Sequence, residues 1–199
     1  MTERQPHIVG IGGTTRPFSS TEKALRFALR SAEEHGATTR GFFGAELAEL
    51  PMYAPENPER HPRAQELIEE LRRADGIILA SPGYHGGVSG LVKNAIDYTE
   101  DLGQDERAYF TGLPMGCIAT GAGWQGVVTT LEQLRTIAHA LRAWCTPLGA
   151  GINTVAVKVY DDDGEVIDER ASFQLAMVGQ EVAEFAALRL RAVAAAGAT

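Results

Sequence analysis

Residues 76–98 read GIILASPGYHGGVSGLVKNAIDY. GIILA is short, apolar and β-branched, which predicts a buried strand. SPGYHGGVSG is dense in Pro, Gly and Ser, which predicts a turn. From near Val88 to about Glu100 the apolar residues recur at helical spacing. Strand, glycine-rich loop and helix in immediate succession are the first half of a parallel crossover unit.

The same alternation extends in both directions. HIVGI (7–11) predicts a first strand ending at Gly12-Gly13. In the helix that follows, Leu25, Ala28, Leu29 and Ala32 share a face and Gly36 marks the stop. A second strand is expected within 38–43, on Phe42 and Phe43. Residues 50–62 hold four prolines and must be a loop. Leu67, Ile68, Leu71 and Ala74 mark a second helix. GLPMGCIAT (112–120) predicts the fourth strand, 125–143 the fourth helix, INTVAVKV (152–159) the fifth strand and 168–193 the fifth helix. DDDGE (161–165) reads as a solvated turn, because a calcium loop needs acids at alternate positions in a longer frame. The tail, 194–199, is expected to be disordered. Five strand–helix alternations predict an α/β fold in one domain over 1–199. Its doubly wound five-stranded parallel sheet has the order 2-1-3-4-5, with helices on both faces. In such a sheet a ligand sits outside the carboxyl ends of the strands, where the order reverses.

Composition narrows the function. The 199 residues carry a net charge of −8, which repels nucleic acid phosphates and anionic lipid, so neither is an expected partner. Cys117 and Cys145 form no CxxC and no metal spacing, which fits a reducing compartment, and Cys117 reads as a buried apolar residue. No apolar signal segment or membrane-length run is present, so the expected location is the cytoplasm.

Three loops fall at the predicted ligand edge. The first, GGTTRPFSST (12–21), enters a helix. A helix N-terminus offers free N–H groups and partial positive charge, Thr14, Thr15, Ser19, Ser20 and Thr21 add hydroxyls, and Arg16 adds a planar cation. The plainer reading is that Ser19 or Ser20 only caps the helix. Gly10-Ile11-Gly12-Gly13-Thr14-Thr15 lacks the last glycine of a dinucleotide loop, no acid closes strand two, and no GK[ST] is present. The loop therefore suits one phosphate. In the second loop, Pro82 and Gly83 turn the chain, Gly86 and Gly87 leave backbone bare, and Tyr84 and His85 flank it. The third, TGAGWQG (120–126), brings Thr120, Gly121, Ala122 and Gly123 to the same edge. Trp124 either stacks on a ring or packs against the following helix. A phosphate-tethered flat heterocycle fits all three loops, and FMN fits better than a dinucleotide.

On these motifs the chain resembles the NAD(P)H-dependent FMN reductases of the flavodoxin-like superfamily. Gly13-Thr14-Thr15-Arg16-Pro17-Phe18-Ser19-Ser20-Thr21 is close to that family's GSxRxxSxN. SPGYHGGVSGLVKNAIDY is close to SPEYNGSxPGxLKNAIDW. TGAGWQG with Gln133-Leu134-Arg135 matches its glycine-rich loop leading to QLR. The resemblance spans roughly 7–160. It implies a flavodoxin-like fold and bound FMN, with NAD(P)H as co-substrate. It implies phosphate contacts at Thr14, Arg16, Ser19 and Thr21, and isoalloxazine contacts at Pro82, Gly83, Tyr84, His85 and Gly86. It places Thr120, Gly121, Ala122 and Gly123 at the pyrimidine end. Lys93, Asn94 and Asp97 read as structural or interface residues. Gly83 replaces the usual Glu, His85 the usual Asn and Thr21 the usual Asn.

The implied reaction is ping-pong hydride transfer from NAD(P)H to FMN, with no catalytic residue or metal assigned on the protein. The implied assembly is a homodimer or homotetramer, and a flavin-dependent oxygenase is one partner for reduced flavin. Two other readings stay open. One is a reductase of quinone, azo or nitro compounds that keeps its FMN. The other is a flavodoxin-like electron carrier without NAD(P)H activity.

Overall fold

Alternating apolar residues along the central strands send two rows of side chains to opposite faces, and helices cover both. The computed structural model describes residues 4–196. Strands β1 (His7–Gly12), β2 (Thr38–Phe42), β3 (Gly76–Tyr84) and β5 (Pro114–Gly121) form the parallel body. Short strands β4 (Gly87–Val88), β6 (Trp144–Cys145) and β7 (Ala150–Asn153) attach to it. The order is β2-β1-β3-β5, and β6 and β7 both pair with β5 in the next position. This is the doubly wound, flavodoxin-like 2-1-3-4-5 order that the sequence predicts, with its fifth strand in two pieces.

The helices are α1 (Ser20–Glu34), α2 (Gly44–Leu47), α3 (Pro62–Arg73), α4 (Gly90–Asp97), α5 (Trp124–Ala140) and α6 (Glu169–Ala196). Ile8, Ile78, Ala80 and Ile118 meet α1 and α6 on one face of the sheet. Val9, Ile11, Ile77, Leu79, Met115 and Cys117 fill the core of the other, with residues of α3, α4 and α5. Cys117 is buried there, as its apolar surroundings predict. None of the described helices is long and apolar enough to cross a membrane.

The departures from the sequence reading have local causes. The predicted strand 152–159 stops at Asn153, because the Asn153 Oδ1 accepts from the N–H groups of Val155 (3.1 Å) and Ala156 (3.0 Å). That side-chain turn competes with further sheet pairing. Val88 does not open a helix: it pairs with Gly83 in a hairpin. The helix begins after Ser89, whose Oγ accepts from the Val92 N–H at 3.3 Å. A 3₁₀ turn, Tyr98–Leu102, completes the segment. Helix α2 was not foreseen. Helix α6 continues to Ala196, so 194–196 are helical; 197–199 lie outside the described residues. The segment 161–165 is a turn, closed by Asp161 N–H donating to the Glu165 carbonyl at 3.0 Å.

Helices α1 and α6 cross with almost no clearance. A Cβ placed on Gly179 would lie 2.1 Å from the Ala28 carbonyl oxygen. Gly179→Ala is therefore expected to destabilise the protein by about 1–3 kcal/mol through overpacking, in spite of alanine's better helix propensity. A urea midpoint equal to or above that of the wild type would contradict this packing.

Candidate functional site

β1, β3 and β5 are neighbours and run in the same direction, so their carboxyl ends open on one edge. There the loops after all three strands enclose a cleft of about 320 Å³. Its lining includes Arg16 and Ser19 from the first loop with Ser20 and Thr21 of the first turn of α1, and Pro82, Gly83 and Tyr84 at the tip of β3 with His85 of the turn that follows. β3 runs on through Pro82 and Gly83, where the sequence reading had the chain turn; the turn falls at His85 and Gly86. Thr120 and Gly121 end β5, Ala122 follows them, and Thr154 follows β7. A second cleft of about 590 Å³ adjoins it, sharing Gly83, His85 and Ala122 and adding Gly86, Gly123, Gln125, Gly126 and Thr129. The first volume lies within the range of roughly 300–1,000 Å³ usual for small-molecule sites. A larger cleft, of about 660 Å³, lies at the amino edge of the sheet between Pro6, His35 and the end of α6. It lacks the convergent loops, and open α/β sheets bind ligands at the opposite edge.

Twelve of the thirteen residues expected from sequence line one of the two clefts at the carboxyl edge. Thr14 is the exception. Its Oγ1 accepts from the Arg16 N–H at 3.2 Å, so it shapes the loop from within. Thr154 and Ser20 complete the wall. Thr154 was hidden in what read as strand; its N–H donates to the Gly121 carbonyl at 2.9 Å. Trp124 is not in the lining of either cleft; with Ile152, Asn153 and Ala156 it lines a separate, smaller one.

The first loop brings hydroxyls, a cation and a helix N-terminus together. Ser19 caps α1, its Oγ accepting from the Glu22 N–H at 3.3 Å, and its own O–H remains able to donate. Capping and cleft lining are thus one residue's two tasks. Thr21 and Thr120 share a hydrogen bond of 2.6 Å, tying the first loop to the third at the buried floor. The Arg16 guanidinium is exposed and, among the described residues, pairs with no carboxylate. Glu22 in the first turn could oppose an anion, but its carboxylate is held by Arg26 at 2.8 and 3.0 Å. Tyr160 braces the same turn from behind, its hydroxyl donating to the Ser20 carbonyl at 2.8 Å. Burial pushes its phenol well above the usual range, so it stays a neutral donor.

The second loop is bare on its helix side. A Cβ on Gly83 would lie 2.7 Å from the Gly126 carbonyl oxygen. The missing side chain thus admits α5. Pro82 to Gly86 line the two clefts. Asn94 lies away from the cleft and latches the proline-rich loop. Its Oδ1 accepts from the Tyr53 N–H at 2.8 Å and its Nδ2 donates to the Pro51 carbonyl at 2.9 Å. Lys93 and Asp97 form a surface pair at 2.6 Å.

This donor set fits FMN. Hydroxyls, a guanidinium without a carboxylate partner among the described residues and the N-terminus of a fifteen-residue helix line the cleft together with the glycine-bearing tips of β3 and β5.

The comparisons with known proteins agree. The family model for NADPH-dependent FMN reductase matches residues 6–155. An NADPH azoreductase of Bacillus sp. (strain OY1-2) is 27% identical over 160 residues, covering 80% of this chain and 81% of that protein. An FMN-dependent NADPH-azoreductase of Staphylococcus aureus is 30% identical over 144 residues, covering 68% and 70%. Among solved structures, FerB, a flavoenzyme NAD(P)H:(acceptor) oxidoreductase of Paracoccus denitrificans, superposes with a TM-score of 0.73 at 20% identity. That match covers 91% of this chain and 97% of FerB.

Proposed function

This chain belongs to the NADPH-dependent FMN reductase family, and from that premise we propose how its cleft serves the activity. It is an NAD(P)H-dependent flavin oxidoreductase with FMN as its flavin. When bound, FMN supplies the hydride-accepting and electron-releasing chemistry. The chain's own residues bind and orient. Arg16, Ser19 and Thr21 donate to the phosphate together with the first N–H groups of α1, and Thr14 holds the Arg16 backbone. Pro82, Gly83, Tyr84, His85 and Gly86 wall the isoalloxazine, and Thr120, Gly121, Ala122 and Gly123 meet its pyrimidine end. Backbone donors fixed before binding can stabilise negative charge on a reduced ring without reorganising. No side-chain acid or nucleophile is assigned to the reaction. The observation that carries this reading is the convergence of the three strand-tip loops on one cleft.

The open side of the cleft takes the nicotinamide and then the acceptor in turn, a ping-pong order. Free flavin is the first acceptor of this reading, with a flavin-dependent oxygenase as one consumer. The named activities of the Bacillus and Staphylococcus relatives favour a second acceptor class, azo compounds reduced by retained flavin. A cytoplasmic homodimer or homotetramer belongs to the same proposal, supported by the sparse cysteines and the family resemblance.

The test is the visible spectrum of the purified protein, followed by NADPH and NADH oxidation with and without added FMN or an azo dye. Oxidation that continues only while free FMN is supplied supports the first acceptor; a yellow protein that bleaches the dye supports the second. Absence of NAD(P)H oxidation with every acceptor would contradict both.

A further inference from the structure

The hairpin between β3 and β4 turns in two residues. Tyr84 pairs with Gly87, and between them His85 and Gly86 have φ of +52° and +80°. Two successive left-handed residues define a type I′ turn, whose twist matches that of the flanking strands. Asparagine followed by glycine is the pair such a turn favours. Histidine enters the left-handed region less readily, although more often than most side chains. The His85 that replaces the resembling family's asparagine therefore occupies a position set by backbone geometry, and it holds that geometry less well.

The support comes from α5. Gly126, Thr129, Thr130 and Gln133 fall on one face of that helix, and the hairpin lies against it. A Cβ on Gly83 would strike Gly126, one on Gly86 would stand 3.3 Å from Thr129 Oγ1, and one on Gly87 would stand 3.2 Å from Gln133 Oε1. Gln133 is the member that grips. Its Nε2 donates to the Gly86 carbonyl at 3.1 Å, and its Oε1 accepts from the Val88 N–H at 3.2 Å. One amide thus spans the end of the turn and the strand that leaves it.

We propose that Gln133 is a positioning residue for the flavin site. It holds the His85–Gly86 turn in its left-handed form and so fixes the backbone wall that the two clefts share. The role rests on the FMN reading above. Gln133 touches neither the ring nor the nicotinamide; it acts through the turn.

The test uses Gln133→Leu, which keeps bulk and removes both bonds, with and without His85→Asn. FMN affinity is read by quenching of flavin fluorescence, and turn order by hydrogen–deuterium exchange of the N–H of Gly87, the residue paired with Tyr84 across the turn, in the flavin-free protein. Gln133→Leu is expected to weaken FMN binding about three- to tenfold, the loss expected from two exposed hydrogen bonds. It should speed Gly87 exchange more than that of amides in the central strands. Adding His85→Asn should recover most of that affinity, because asparagine holds the turn unaided. Unchanged affinity and exchange in Gln133→Leu would overturn the proposal, as would an equal loss of affinity in both backgrounds. If the wild-type protein bound no FMN, the flavin reading would fall. Gly87 exchange would still show whether Gln133 holds the turn.

Discussion

Arg16→Ala is expected to weaken FMN binding by about 1.5–3 kcal/mol, roughly ten- to 150-fold, and to leave riboflavin binding unchanged. The selectivity follows from placement. Arg16 lies in the loop that enters α1, at the hydroxyl end of the cleft, and has no carboxylate partner to release among the described residues. Its charge is free for a phosphate, and riboflavin carries none. Because the guanidinium is exposed, the loss should fall toward the lower end of that range and shrink further as salt is added. Ser19, Thr21 and the helix N-terminus remain in the variant, so binding is reduced and not abolished. Parallel titrations of the two flavins with wild type and Arg16→Ala check this. Equal losses for both would remove the phosphate from that end of the cleft.

Gly83→Val is expected to yield a folded protein that no longer retains flavin. The Gly83 Cα rests on the first turns of α5, where a Cβ would meet the Gly126 carbonyl oxygen at 2.7 Å and the Thr130 Oγ1 at 3.0 Å. The atoms in the way are helix backbone and a fully buried side chain, neither free to swing aside. The second loop must therefore lift off the helix and into the cleft that it walls. Overpacking of this kind costs about 1–3 kcal/mol, and here the cost falls on the bound form, which needs the loop seated. Gly90→Ala is the matched control, since nothing lies within 4 Å of the added carbon. Flavin content and melting temperature of the three proteins decide the matter. A Gly83→Val protein as yellow as the wild type would refute the seating of this loop on α5.

Most of the lining of the cleft at the carboxyl edge was legible in the sequence because it is written in local chemistry. Glycine, proline and hydroxyl clusters mark strand-tip loops, and apolar runs such as GIILA fix which strands they leave. What escaped depends on contacts between distant segments. The short strand β4 exists only because Val88 finds Gly83 across a two-residue turn. The end of β7 was masked by the β-branched run after Asn153, whose side chain turns the chain before that run can pair. Thr154 joined the cleft for the same reason. The glycines of the second loop announced a close approach correctly, but sequence could not say to what; the partner is α5. His85 likewise read as a ring contact, while its φ of +52° makes it a turn residue first.

The central claim is that three strand-tip loops hold one FMN, phosphate toward Arg16 and α1, ring along residues 82–86 and 120–123. A crystal structure of the protein grown with FMN tests it most directly. The account predicts phosphate oxygens within hydrogen-bond reach of Arg16 and the Ser19 and Thr21 hydroxyls, and the ring against the backbone of the second and third loops. Flavin bound at another edge of the sheet, or density for its phosphate remote from α1, would contradict it.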